Sequence, residues 1–149
     1  MSSSAGIIII GDEILSGRTK DTNINWIANE LNQMGIQLKE ARVIEDDKKT
    51  IINTVLEFSK KFTYVFTSGG IGPTHDDITT ESIASAFQVD LEKNKIAMNL
   101  LKKHYEKSNI DFNEARQKMA IIPKGALLIE NPVSVAPGFN IKNVYVFAG

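Results

Sequence analysis

Tyr64-Val65-Phe66-Thr67-Ser68-Gly69-Gly70-Ile71-Gly72-Pro73-Thr74-His75-Asp76-Asp77-Ile78-Thr79-Thr80-Glu81-Ser82 is the stretch around which the chain is organised. Tyr64–Thr67 has the β-branched and aromatic make-up of a short buried strand. Glycines and a proline crowd the next six residues, and a helix is predicted from Thr79 to Phe87. Strand, glycine loop and helix start form the layout in which bare backbone amides and a helix N-terminus hold a phosphate. Glycine suits such a loop because a Cβ would block the anion and penalise positive φ. An ordinary strand-to-helix turn can carry the same glycines. The Asp76-Asp77 pair behind the loop favours a ligand site, because phosphate and carboxylates coexist comfortably only with a cation between them.

Upstream of this stretch, Ala5–Ile10 is a continuous apolar run, as expected of a strand covered on both faces. Residues 1–4 read as a disordered tip. The strand ends at Gly11-Asp12-Glu13, and the segment on to Lys20 reads as a loop. Asp21 or Thr22 caps a helix that carries Ile24, Ile27, Ala28, Leu31 and Met34 on one face and stops at Gly35. Trp26 lies off that stripe and is read as packing against a neighbouring element or subunit. Gln37–Ile44 is a second strand. It ends at Glu45-Asp46-Asp47, where either aspartate can cap a helix that buries Ile51, Ile52, Val55, Leu56 and Phe58. Strands alternating with helices predict a three-layer α/β/α sandwich with a mostly parallel central sheet. Loops leaving the strand C-termini then share one edge, where such folds bind ligands. Here those loops are Gly11-Asp12-Glu13, Glu45-Asp46-Asp47 and Ser68–Asp77, and each is acidic.

Downstream, a helix over Lys93–Lys107 is expected to align Ala97, Leu100, Leu101, His104 and Tyr105, with His104 a packed or hydrogen-bonded residue and not a ligand. The segment around Phe112–Ile121 is expected to turn Phe112, Ala115 and Met119 inward. Pro123-Lys124-Gly125 reads as a turn, and Ala126–Ile129 and Asn143–Ala148 as two strands joined by an ordered connector over 131–139.

The 149 residues suit one domain with a sizeable core. A formal net charge of −1 gives no electrostatic reason to expect nucleic acid or a membrane surface as partner. No cysteine is present, which removes disulfides, thiolate chemistry and cysteine-bound zinc. No segment has the length of a transmembrane helix and the N-terminus is too polar for a signal peptide, so a cytoplasmic protein is the default expectation.

Chemistry narrows the acidic edge further. Mg²⁺ or another divalent metal would bridge Asp46, Asp77 and Asp12 or Glu13 to phosphate oxygens, which points to adenylyl transfer or pyrophosphate hydrolysis. Gly11, Asp12, Glu13, Ser68, Gly69, Gly70, Gly72, Pro73 and Thr74 are the candidate ligand-binding residues, with Asp46 and Asp77 as catalytic and metal-holding residues. His75 is the one histidine near the loop and a weaker candidate. No Walker P-loop and no dinucleotide fingerprint are present. For each aspartate, helix capping is the plain alternative.

Gly11-Asp12-Glu13-Ile14-Leu15-Ser16-Gly17-Arg18, Asp21-Thr22-Asn23, Thr67–Thr79, Phe112-Asn113-Glu114-Ala115-Arg116 and Asn131-Pro132 with Ala136-Pro137-Gly138-Phe139 occur in this order. Together they resemble the molybdopterin-binding domain of the MoaB/Mog superfamily, in its CinA-type branch. The resemblance covers nearly the whole chain. It implies the three-layer fold, a homo-oligomer (dimer or trimer) and a small-molecule nucleotide or pterin as ligand. Mog-type members adenylylate molybdopterin with Mg²⁺ and aspartates that fall on Asp46 and Asp77. CinA-type domains are associated with metal-dependent hydrolysis of ADP-ribose or a related dinucleotide. The resemblance therefore implies a pyrophosphate hydrolase, with molybdopterin adenylylation or a non-catalytic pterin or nucleotide module as alternatives.

The sequence departs from the family pattern in places. Ser134-Val135 stand where CinA-type members usually have Gly-Thr. Family members continue past Gly149 into a proline-containing loop and a helix, so truncation there is expected. The amidase domain of full-length CinA has no counterpart here.

Overall fold

The computed structural model describes residues 3–130 and 136–149. Strand β1 (Ser4–Ile10) lies one in from the edge of the sheet, flanked in parallel by β2 (Gln37–Ile44) and β3 (Tyr64–Ser68). The six-stranded order is β2-β1-β3-β8-β7-β6, where β6 is Leu127–Ile129, β7 Gly138–Ile141 and β8 Val144–Phe147. β8 is parallel to β3, whereas β7 and β6 are antiparallel to their neighbours and finish one edge. The sheet is thus mostly parallel, as the alternation of elements predicts.

Burial explains why the first strand is uniformly apolar. Ile7, Ile8, Ile9 and Ile10 are all at most 2% exposed because each face of β1 carries a layer. On one face, Ile8, Ile10, Val65, Val144 and Val146 join Ile51, Val55 and Phe58 of α3 (Lys48–Lys61) and Ile83 of α4 (Thr79–Ala86) in the main core. On the other face, α2 (Asn23–Gln33) lies over Ile7 and Phe66 with Trp26 and Ile27. Helix α5 (Lys95–Ser108) builds a second cluster from Ala97, Leu101 and Tyr105 with Met119 and Ala120, and Phe112 stacks on Tyr105 at 5.6 Å.

Several expectations need correction. Ser4 opens β1 and is not part of a disordered tip. The expected loop after Gly11 begins with a single helical turn, α1 (Asp12–Leu15), too short to show any periodicity. A strand β4 (Leu91–Lys93) precedes α5 and pairs antiparallel with β5 (Ile121–Pro123), so Pro123 ends a strand; its missing N–H is tolerated in a two-stranded ribbon. Asn94 caps α5 by accepting from the Ala97 amide at 2.9 Å, which is why the helix starts two residues later than expected. Gly138 and Phe139, expected in the connector, belong to β7. Residues 131–135, including Ser134-Val135, lie outside the described residues.

Some side chains expected inside face out. Met34 is 69% exposed, and Leu100, His104 and Ala115 are exposed as well. The one-turn α6 (Glu114–Gln117) gives Ala115 no inner face, and His104 touches only the edge of the Tyr105 ring at 5.1 Å. Trp26 is 62% exposed, so only part of its ring is covered where it lies beside Ile7 and Phe66.

Candidate functional site

Three parallel strands deliver their C-terminal ends to one edge, and the connection leaves β1 for β2 on one side while β3 returns on the other. The crevice between β1 and β3 is therefore the switch point at which open α/β sheets bind ligands. The Gly11, Asp46 and Ser68–Asp77 loops all meet there.

The first two loops are tied to each other. Gly11 N donates to Ile44 O at 3.0 Å. Asp12 N donates to Asp46 Oδ2 at 3.1 Å, and Asp46 N donates to Asp12 Oδ1 at 3.0 Å. Each carboxylate thus spends one oxygen on the other's backbone and keeps its second oxygen without a protein partner among the described residues. Burial pushes the Asp46 carboxyl above its usual range; the amide of Asp12 pulls it back, and the charges of Asp12, Glu13 and Asp77 raise it further. Asp77 is thus close enough to act on Asp46. Asp47 takes the capping role open to either aspartate, accepting from Thr50 N at 3.0 Å. Asp46 is left free for the site.

The glycine loop is fixed by close approaches. Gly69 has φ +103, and a Cβ there would sit on the Ile10 carbonyl oxygen. Gly70, with φ +78, lies against Thr79 Oγ1, a fully buried hydroxyl that has no hydrogen-bond partner among the described residues. Gly69 N is held by Phe147 O at 3.0 Å, and Thr79 N donates to Gly70 O at 3.0 Å. The amides of Gly70, Ile71 and Gly72 donate to no protein acceptor among the described residues. Consecutive free amides over a concave turn make an anion cradle. Further along, the Asp77 amide closes a turn on Thr74 O at 3.1 Å, and Asp77 Oδ2 accepts from Thr74 N at 2.9 Å and Thr74 Oγ1 at 2.8 Å. Asp77 Oδ1 stays open.

Two cavities flank this framework. One of about 250 Å³ is lined by Glu13, Lys20, Asp21, Asn23, Ser68 and Gly69 among others, and a smaller one of about 160 Å³ by Gly72, Asp77 and Lys118. The sequence-based candidates Gly11, Asp12, Glu13, Asp46, Ser68, Gly69, Gly70, Gly72 and Asp77 are thus brought together. Of the sequence-based candidates, Glu13, Ser68, Gly69, Gly72 and Asp77 line these cavities, whereas Gly11, Asp12, Asp46 and Gly70 form the framework between them and Pro73 and Thr74 shape the loop. His75 points to solvent, its side chain 93% exposed and 3.3 Å from Asp76 only.

Asn23 and Lys118 escape sequence-based reasoning. Asn23 Nδ2 donates to Ser68 Oγ at 2.7 Å, which ties the start of α2 to the glycine loop; its place in Asp21-Thr22-Asn23 is the available signal. Lys118 has no local signature.

The donors are oxygens of carboxylates, which suit a hard cation such as Mg²⁺ and not zinc. Among the described residues no three acidic or histidine side chains converge into a set that would hold a metal alone. Such a donor set fits Mg²⁺ held by one or two carboxylates, water and a ligand phosphate.

A family model described as a probable molybdopterin binding domain matches residues 6–149. A protein of Sulfurisphaera tokodaii is 42% identical over 138 residues, 92% of this chain and 52% of its own length. One of Metallosphaera sedula is 37% identical over 139 residues, 93% of this chain and 52% of its own. The chain spans about half the length of the curated relatives it matches. The crystal structure of the protein CinA with unknown function from Thermoplasma acidophilum superposes with a TM-score of 0.90 at 37% identity, over 99% of this chain and 89% of that one. The tungsten cofactor synthesizing protein MoaB from Pyrococcus furiosus shares the fold with a TM-score of 0.59 at 22% identity, over 99% and 82%.

Proposed function

The chain belongs to the probable molybdopterin binding domain family, in its CinA-type branch, and on that premise we propose that it hydrolyses the pyrophosphate of an adenosine dinucleotide such as ADP-ribose. The observation that carries this reading is the run of free amides at Gly70, Ile71 and Gly72 beside three carboxylates, each with one oxygen tied and one open. The amides would bind a phosphate of the substrate, and the open oxygens of Asp46 and Asp77 would hold Mg²⁺ against it. Bound Mg²⁺ supplies neutralisation of the charge that develops on the phosphoryl oxygens. Water adds to one phosphorus, the P–O–P bridge breaks, and ADP-ribose yields AMP and ribose 5-phosphate, with protons released as the two new phosphate monoesters ionise. The protein's part is to hold the phosphate in line and keep the carboxylates fixed.

The family description favours a second reading, in which the ligand is a pterin; the site would then adenylylate it or simply bind it. Product analysis of ADP-ribose incubated with and without Mg²⁺, for the natural chain and Asp77→Asn, separates the readings. Metal-dependent AMP release that falls at least about 100-fold in the variant is expected, since one oriented charge at a reacting phosphate is worth several kcal/mol. Equal turnover by Asp77→Asn would sink the assignment. No release by either protein would transfer the site to a pterin.

A further inference from the structure

Lys118 sits in a short 3-10 turn (Lys118–Ala120) more than forty residues from the glycine loop, yet its ammonium reaches that loop directly. Nζ donates to Thr74 O at 2.6 Å and to Asp77 O at 2.6 Å. These are the two ends of the turn that carries the Asp77 carboxylate, already closed by Asp77 N to Thr74 O. Charge-assisted bonds this short are among the stronger polar contacts available to a half-buried group. The base of the side chain is itself held. The next two residues, Met119 and Ala120, are buried, and Ala120 O accepts from Asn94 N at 2.8 Å. Among the described residues no carboxylate lies within salt-bridge distance of Lys118, so the ammonium is spent on backbone carbonyls and not on a surface ion pair.

We propose that Lys118 is a positioning residue for the reaction: by clamping both ends of the Thr74–Asp77 turn it fixes the direction of the open Asp77 oxygen at the edge of the cavity it shares with Gly72. The inference rests on the hydrolase reading for its catalytic half, while the clamp itself is independent of any substrate. Without the ammonium, the turn keeps only its internal bonds, which do not define its orientation relative to the sheet. Asp77 would then sample directions away from the phosphate cradle. Loss of orientation lowers turnover more than substrate affinity, because the free amides of the loop still bind phosphate.

The test uses Lys118→Met, Lys118→Gln as a gentler variant that keeps a neutral donor, and Lys118→Arg as the conservative rescue. Amide hydrogen exchange across residues 69–78 is measured without ligand, alongside a thermal melt. The steady-state rate with ADP-ribose and Mg²⁺ follows. In Lys118→Met the Thr74 and Asp77 amides should exchange at least about tenfold faster, with a near-native melt. Its kcat should fall about tenfold or more at little-changed KM, with Lys118→Gln between and Lys118→Arg recovering most of the loss. Unchanged exchange in Met and Gln variants overturns the clamp. Faster exchange with unchanged kcat overturns the positioning role. If the natural chain does not cut ADP-ribose, the hydrolase reading fails and the exchange data alone decide whether Lys118 clamps the turn.

Discussion

Replacing Asp46 by Asn should make the protein more stable and less functional, and the gain should depend on pH in a defined direction. Burial and the like charges of Asp12, Glu13 and Asp77 raise the Asp46 carboxyl above its ordinary range. A raised acid binds its proton more tightly in the folded state than in the unfolded chain. Its contribution therefore favours folding at low pH and is lost as pH rises through the interval between the unfolded and folded values. Once the carboxylate is ionised, the whole penalty is in place. Asn removes the charge while its carbonyl oxygen still accepts the Asp12 amide, as Asp46 Oδ2 does at 3.1 Å. Asp46 is only half-buried, so solvent screening trims the effect to about 0.5–1 kcal/mol. For a chain of this size that corresponds to a gain of about 1–4 °C in Tm.

Thermal melts of both proteins between about pH 4 and pH 7, at fixed ionic strength, read this directly. The Asn variant should melt higher at the upper end, and the two curves should converge toward the lower end as Asp46 takes up its proton. Added salt should narrow the gap, because the repulsion from Asp12, Glu13 and Asp77 is screened. A variant less stable than the natural chain at about pH 7, or a gain that does not change with pH, would refute the account of Asp46 as a strained member of a like-charged cluster. The cation proposed for Asp46 and Asp77 would relieve this repulsion.

Gly69→Ala should cost about 2–4 kcal/mol, lowering Tm by roughly 5–15 °C in a thermal melt, because φ +103 is strained for alanine and the new methyl meets a backbone oxygen. A loss under about 0.5 kcal/mol would mean that the β1 and β3 ends part without cost. Asn143→Ala should destabilise by about 1–3 kcal/mol in urea titration, since the Asn143 amide serves Ser59 O at 2.9 Å and Phe62 O at 3.0 Å and thereby closes the C-terminal end of α3. A neutral result there would mean that water replaces it freely.

How much of this is legible in the sequence depends on how local each signal is. The apolar run of β1, the helical stripe of α3 and the glycine loop each state their structure within a few residues, and the parallel sheet follows from their order. The shared edge follows from topology alone, which is why the order of elements suffices to gather Gly11, Asp12, Asp46 and Gly69. What stays hidden has no local pattern. α1 is one turn long, and the β4–β5 ribbon joins three-residue strands about thirty positions apart in the chain, so neither leaves a period to read. Trp26 and Met34 follow helical spacing or its neighbour position, yet spacing only names a face and cannot say whether anything covers it.

Lys118 is the deepest omission, and its cause is physical. A lysine between Gln117 and Met119 looks like any solvated cation, since nothing in its own segment needs the charge. The demand comes from the other partner, a turn whose Thr74 and Asp77 carbonyls have no strand or helix to pair with. Thr74 O has the Asp77 amide, but Asp77 O finds no donor in its own segment and needs a distant N–H or an ammonium, or else it stays with water. Accounting for the backbone polar groups of an irregular loop is therefore a route to positioning residues that motif reading, which follows the catalytic side chains themselves, does not supply.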